Sequence, residues 1–290
     1  VGTRPIPAPA LAVIAIVCVQ FGNALAGSYF DQVGPVGAAA LRLGFGAVIL
    51  AAVVRPRFRG WDLRTWLGVG VLGLALAGMN TLIYLSISEI PIGIAVTIEL
   101  LGPLGVAAAG IRRRVDALWV LLAIIGVVLL GSGAGGAVSL VGLLLAAGAG
   151  LFWALYIVAS AQLGPRVHGV EGLSAAMIVA ALIVVPIGAG AATGAVAETP
   201  WLLLVFIGVA ILTSSIPYAL EFTALKSIPP RIFGVLSSLG PAVAALAGVI
   251  VLGQFLTPLQ LVSIALVVAA SIGVVVTAPP GRSLPRAELL

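Results

Sequence analysis

Gly78-Met-Asn-Thr-Leu-Ile-Tyr84-Leu-Ser-Ile-Ser-Glu-Ile-Pro91-Ile-Gly-Ile-Ala-Val-Thr-Ile-Glu99-Leu-Leu-Gly-Pro103-Leu is the stretch on which the fold turns. Two apolar runs meet at Glu89–Pro91, and each continues outward until it is long enough to cross a bilayer, which takes about 20 residues. The same texture extends in both directions. The chain has 290 residues, 62% of them hydrophobic and 8% charged, with a mean hydropathy of +1.29. A soluble domain carries roughly 25% charged residues and needs them to cover its surface. Lipid is the solvent this composition fits. The 37 glycines and abundant alanines suit membrane helices, whose close approach depends on small side chains.

Reading runs of about 20 apolar residues places spans at roughly 9–30, 35–54, 65–87, 92–110, 116–132, 139–161, 170–193, 200–224, 231–252 and 258–277. The expected fold is therefore all-α and integral to the membrane, with about ten spans. The first run lacks a small-residue cleavage site followed by a polar domain, and it reads as a helix that stays. Cys18, the one cysteine, excludes an internal disulfide framework.

The net charge of +5 does not point to nucleic acid. Arg55, Arg57, Arg59 and Arg64 share the second loop, and Arg112, Arg113 and Arg114 the fourth. Arg166 lies in the sixth, Lys226 and Arg231 flank the eighth, and Arg4, Arg282 and Arg286 lie in the tails. The odd-numbered loops hold no Lys or Arg. Cationic loops stay cytoplasmic, so both tails are expected inside, which an even number of spans requires.

The halves resemble each other. Tyr84-Leu-Ser-Ile-Ser-Glu-Ile-Pro91 resembles Phe222-Thr-Ala-Leu-Lys-Ser-Ile-Pro229, and Gly102-Pro103 recurs at the same offset as Gly240-Pro241. After a short slip, Val115-Asp116 aligns with Thr257-Pro258 and Gly131 with Gly273. The expected units are residues 1–134 and 135–290. Five spans per unit is an odd number, so the second unit enters the membrane inverted. Inverted repeats mark secondary transporters, with the substrate near the midplane between them.

The opening stretch resembles the exporter branch of the drug/metabolite transporter superfamily. Within its EamA-type members the resemblance is to the threonine/homoserine (Rht-type) exporters. Arg112-Arg-Arg-Val-Asp116-Ala-Leu-Trp119, Ala149-Gly-Leu-Phe-Trp153-Ala-Leu-Tyr156 and Leu256-Thr-Pro-Leu-Gln260 fit the same family. The resemblance spans nearly the whole chain. It implies ten helices in two repeats and proton-driven export across a bacterial inner membrane. Many members carry Gly-Glu before the Leu-Thr-Pro segment, where this chain has Gly253-Gln254.

Ionisable groups deep in a bilayer are expensive and mark function by default. Arg42, Glu99 and Glu221 lie within the expected spans. At about 1.5 Å per residue, Arg42 falls about 10 Å below the outer end of its helix and Glu99 about 12 Å below that of its own. Asn80 comes to a similar depth. An amino acid offers a carboxylate to Arg42, whose planar fork suits it, and an ammonium to Glu99. The competing reading is an Arg42–Glu99 salt bridge that merely ties two helices.

Pro103 deprives the Glu99 carbonyl of its helical donor, and Pro241 does the same to Ser237. Such helix breaks bind ligands in transporters, although a kink is also satisfied by a neighbouring hydroxyl or water. Tyr218 and Ser237–Ser238 are expected on the inner wall of the path. Tyr84, Trp153 and Tyr156 either line it or pack. Glu221 lies within reach of Lys226 or Arg231 as an interfacial pair. His168 reads as solvated, and Trp61, Trp66 and Trp201 as interface anchors.

Other classes fit less well. The single histidine is in a loop, which argues against an intramembrane serine protease. Asp31, Asp62 and Asp116 flank spans rather than facing each other inside the membrane, as a two-aspartate protease needs. No nucleotide-binding loop, metal cluster or cofactor motif is present. The expected partners are an amino acid, protons and the lipid bilayer, with no nucleic acid. Lipid, nucleotide-sugar or multidrug export on the same fold, or a facilitative channel, are the alternatives.

The loop charges make a labelling prediction. In a Cys18→Ala background, a cysteine at Gly135 should react with an outside-only thiol reagent in intact cells, and one at Arg57 should be spared. The opposite pattern inverts the topology.

Overall fold

A computed structural model describes residues 8–108, 114–132, 139–218, 220 and 236–277. Glu221, Lys226, Arg231, Arg4, Arg112, Arg113, Gly135, Arg282 and Arg286 lie outside the described residues. Ten spans follow in order. They are α1 (Ala8–Gly27), α2 (Phe30–Val54), α3 (Leu63–Ile87), α4 (Ile92–Glu99) with α5 (Leu101–Ala108), α6 (Arg114–Ser132), α7 (Leu140–Leu163), α8 (Glu171–Glu198), α9 (Leu202–Ala210) with the turns that follow it, α10 (Gly240–Leu252) and α11 (Pro258–Thr277). Outward faces are apolar, with Val48 67%, Leu144 63% and Leu182 70% exposed. A water-soluble chain rarely shows so much contiguous apolar surface.

Span limits differ from the apolar runs at a few ends. The break expected at Asp31–Pro35 coincides with a kink at Gly34 (φ 67°): a single helical turn carrying Asp31 precedes it, and the long helix of α2 resumes at Pro35. At the other end Arg55 closes α2 in a left-handed conformation. α8 runs to Glu198, beyond the expected end at 193. Asp62 caps α3 by accepting from the Thr65 hydroxyl (2.5 Å) and amide (2.9 Å). The hydroxyl contact leads in holding its carboxyl below the ordinary range. A lowered carboxyl stabilises the fold above its unfolded value and loses that contribution as pH falls.

Packing runs between the halves. α2 lies along α8, α6 along α11, and α4 against α10. α1 packs on α10, and α7 packs on α4 and α5; α3 packs on α7, and α1 on α9 with its following turn. Exchanging the halves span for span maps the first three of these contacts onto themselves, and interchanges α1–α10 with α7–α4 and α3–α7 with α1–α9. At the α6–α11 seam the ring of Trp119 covers Gly273, and its Nε1 donates to Thr277 Oγ1 (3.2 Å).

Glycine lets two of these crossings come backbone to backbone. A Cβ on Gly102 would collide with the Gly150 carbonyl of α7, and one on Gly150 would stand 2.8 Å from the Glu99 carbonyl. The junction of α4 and α5 is thus pressed onto α7. Between α4 and α10, a Cβ on Gly93 would meet Ala245 at 3.0 Å. Gln254 ties the same two spans by accepting from the Ile92 amide (3.0 Å), after Gly253 (φ 65°) has closed α10.

The aromatic residues expected at interfaces lie at span ends. Phe58, Trp61 and Trp66 cluster with ring centres 5.2–5.7 Å apart beside the arginines of the second loop. Trp201 meets Tyr29 edge-on at 5.6 Å. His168 is exposed.

Candidate functional site

Arg42 sits mid-way along α2 and is 3% exposed. Its Nη1 donates to Asn23 Oδ1 on α1 (3.0 Å), and its Nη2 to the Thr213 carbonyl (3.1 Å). Its guanidinium lies over the Tyr84 ring of α3, 5.2 Å from the centroid. Four spans therefore meet on one cation. A guanidinium has five N–H donors, and these bonds use two of them. Nε is buried without a partner.

The Thr213 carbonyl is available for a local reason. Residues Ile211–Ser215 form a π-helical turn, and Pro217 stands four residues after Thr213. Proline has no N–H to return to that carbonyl. Widened π turns of this kind collect at functional sites. Gly22 makes room for the turn, since a Cβ there would collide with the Thr213 methyl. The Thr213 hydroxyl is satisfied by Val209 O (2.7 Å), so the main chain, not the side chain, meets the cation.

Glu99 ends α4 and is 8% exposed. Arg42 is the other charged side chain buried among the described residues. The two do not close an ion pair within 4 Å, and the Glu99 carboxylate has no hydrogen-bond partner among the described residues. The expected alternative of a direct Arg42–Glu99 bridge is therefore not what ties these helices. Asn23, the Thr213 carbonyl and the Tyr84 ring hold the guanidinium instead. Among the described residues, Arg42 and Glu99 are the charged side chains in the buried set.

The other expected residues fall into place around them. Asn80 is buried, and its Nδ2 donates back to Leu76 O in its own helix (2.7 Å). Tyr84 is fully buried, its ring 5.4 Å from Phe30 and its hydroxyl without a partner. Tyr156 and Tyr218 approach at 6.3 Å between ring centres, which joins α7 to the end of the eighth span. Trp153 is half-buried on α7. Ser237 is half-buried one turn before Pro241, and neighbouring Ser238 bonds Ser271 on α11 (2.8 Å). The Glu99 carbonyl left without a donor by Pro103 points at Gly150, as described above, where it meets a Cα rather than open space. The chain turns at Leu100 before α5 and at Leu239 before α10.

Asn23 and Gln20 were not singled out by the sequence reading. Both lie in the apolar run of the first span, and both are buried, at 4% and 7% exposed. Uncharged amides inside a hydrophobic stretch were the available signal. The Thr213 carbonyl has no letter of its own, but Pro217 announces it by the same rule that was applied at Pro103 and Pro241.

A family model described as the EamA-like transporter family matches residues 140–276. The chain is 43% identical over 273 residues to the threonine/homoserine exporter RhtA of Escherichia coli K12, covering 91% of this chain and 90% of that protein. The protein of the same name from Salmonella typhimurium LT2 is 43% identical over 271 residues, with the same coverage. A crystal structure of 20% identity superposes with a TM-score of 0.58 over 92% of this chain and 96% of the other, which is a likeness of fold.

The arrangement around Arg42 makes a stability prediction. Asn23→Leu removes an acceptor from a buried cation and should cost about 1.5–3 kcal/mol, read as a lower melting temperature in detergent. Thr213→Ala leaves the main-chain acceptor in place and should cost clearly less. Equal losses contradict the tie.

Proposed function

The chain belongs to the EamA-like transporter family, and from that premise we propose that it exports small amino acids, threonine and homoserine first, in exchange for protons across a bacterial inner membrane. The likeness to threonine/homoserine exporters supports the cargo. The observation that carries the reading is the buried guanidinium of Arg42, with donors unused and, among the described residues, no carboxylate within ion-pair distance. Removing a cation from water costs several kcal/mol unless it is well compensated. In the polar chamber assigned between Arg42 and Glu99, two neutral acceptors and a ring leave the guanidinium without an anion in direct contact among the described residues.

A substrate carboxylate supplies it. The Nε–H and an unused Nη–H form a parallel pair matched to its two oxygens. The α-ammonium, two bonds away, then falls toward Glu99. Tyr84 backs the guanidinium and fixes its plane, and its hydroxyl is a further donor. The half-buried Trp153, Tyr156 and Ser237, with Tyr218, are assigned to the path between this chamber and the cytoplasm. Asn80, turned onto its own helix, is assigned to the chamber wall.

Glu99 is assigned the coupling. A substrate ammonium pairs with its ionised form, and a proton competes with that ammonium for the same carboxylate. Substrate entering from the cytoplasm displaces the proton of Glu99 to that side and pairs with the carboxylate. Once the chamber opens outward, a proton from outside returns to Glu99 and releases the ammonium. The protonated carboxyl then carries its proton inward. One amino acid leaves for each proton that enters.

The two units 1–134 and 135–290 are assigned as repeats that rock against each other, a reading supported by the exchange symmetry of the packing and by the paired turns at Leu100 and Leu239. The second loop, with its arginines and aromatic cluster, is assigned to the cytoplasmic face along with both tails.

Counterflow of labelled threonine in proteoliposomes tests the cargo, and a pH gradient, acid outside the cytoplasmic face, tests the coupling. Glu99→Gln keeps shape but cannot ionise. It should abolish gradient-driven accumulation at equal membrane abundance. Undiminished uphill transport by that variant removes Glu99 from the coupling.

A further inference from the structure

We propose that Gln20 of α1 reads the side-chain hydroxyl of the substrate, which makes it the residue that separates threonine and homoserine from apolar amino acids of the same shape. The inference rests on the exporter reading above and deepens it.

Gln20 is 7% exposed, and its Oε1 is buried with no hydrogen-bond partner. It stands three residues before Asn23, so both amides share one face of α1, and Asn23 grips Arg42 (3.0 Å). The nitrogen end of the Gln20 amide is 3.8 Å from the Cβ position of Gly240, and Val96 of α4 is equally close to that point. Gln20 thus reaches from α1 to the place where α4 and α10 approach each other, one turn of α4 before Glu99.

A second unpartnered group lies at the same level. Ser214 follows Thr213 in the π turn, and its Oγ is buried without a partner. It lies 3.4 Å from the Cβ position of Gly46, which is one turn beyond Arg42 on α2. α1 and α2 run in opposite directions, so the step back from Asn23 to Gln20 and the step forward from Arg42 to Gly46 go the same way. One helical turn from the guanidinium, two spans therefore present polar atoms that have no partner among the described residues.

A turn is about 5.4 Å of rise. With bonds of about 1.5 Å, the hydroxyl of threonine or homoserine lies about 3–5 Å from the carboxylate carbon. A substrate anchored on Arg42 therefore carries its hydroxyl to this level. The hydroxyl donates to Gln20 Oε1 and accepts from the Ser214 hydroxyl. Valine has the shape of threonine but leaves Oε1 buried and unpaired, which costs the full desolvation of that group. Sites built to bond a substrate hydroxyl reject the analogue that lacks it for this reason.

The test is competition against labelled threonine in counterflow, with the full chain in proteoliposomes and unlabelled threonine, homoserine, valine and norvaline as competitors. In the unmodified protein threonine should compete about tenfold to a hundredfold better than valine. Gln20→Met keeps length and removes the amide, and the ratio should collapse because threonine weakens to the level of valine. Gln20→Asn withdraws the amide by one methylene. It should weaken threonine and spare homoserine, whose hydroxyl reaches one bond further. A merely structural role would lower transport without changing these ratios. An unchanged ratio in either variant, at equal membrane abundance, overturns the assignment, as does the absence of a threonine–valine gap in the unmodified protein. Absence of threonine counterflow altogether overturns the exporter reading itself, a result distinct from intact counterflow with an unchanged ratio.

Discussion

A guanidinium buried where four spans meet is the constraint around which the molecule is arranged. Arg42 contributes a permanent charge from α2, and α1, α3 and the π turn after α9 each supply something to it: an amide oxygen, an aromatic face and a main-chain carbonyl. Each of these is neutral. Among the described residues, the groups in direct contact with the cation are neutral ones, and its Nε has no partner. That combination differs from a closed salt bridge, which has nothing further to bind.

Backbone chemistry makes the arrangement possible. Pro217 lacks the N–H that an α-helical turn would return to the Thr213 carbonyl, that carbonyl accepts from Arg42 within the π turn, and Gly22 lets the turn approach α1. Pro103 and Pro241 act at the turns before α5 and α10. At the first of these, glycines at 102 and 150 bring two backbones into contact, and the Glu99 carbonyl is covered by α7. The same local device thus has two uses. After α9 the freed acceptor meets a charge, and after α4 it meets a neighbouring helix.

The spans were legible because apolar runs of membrane length are separated by arginines, and because a charge in such a run is conspicuous. Arg42 and Glu99 were found on that ground, and the structure buries both. What the sequence hid was how the guanidinium is held. Its partners are an amide, which the search for ionisable residues passed over, and a carbonyl, which every residue has. Asn80 was legible as polar, but its bond to Leu76 O was not, because nothing in the letters says which way an amide turns. The break at Asp31–Pro35 is legible, and Gly34 is the residue that takes up the bend, with one helical turn ahead of it. Gln254 stands where a glutamate was expected from the family resemblance, and its amide oxygen caps α4. Acceptance of a backbone N–H is a task either side chain performs.

We propose that the unused donors of Arg42 take the carboxylate of the cargo. Competition by threonine amide, which keeps the ammonium and the hydroxyl and lacks only the carboxylate charge, tests it most directly. In counterflow of labelled threonine by the unmodified protein, the account predicts that the amide competes at least about tenfold more weakly than threonine, as loss of a hydrogen bond to a charged group implies. Equal competition by the amide and the free amino acid would contradict it.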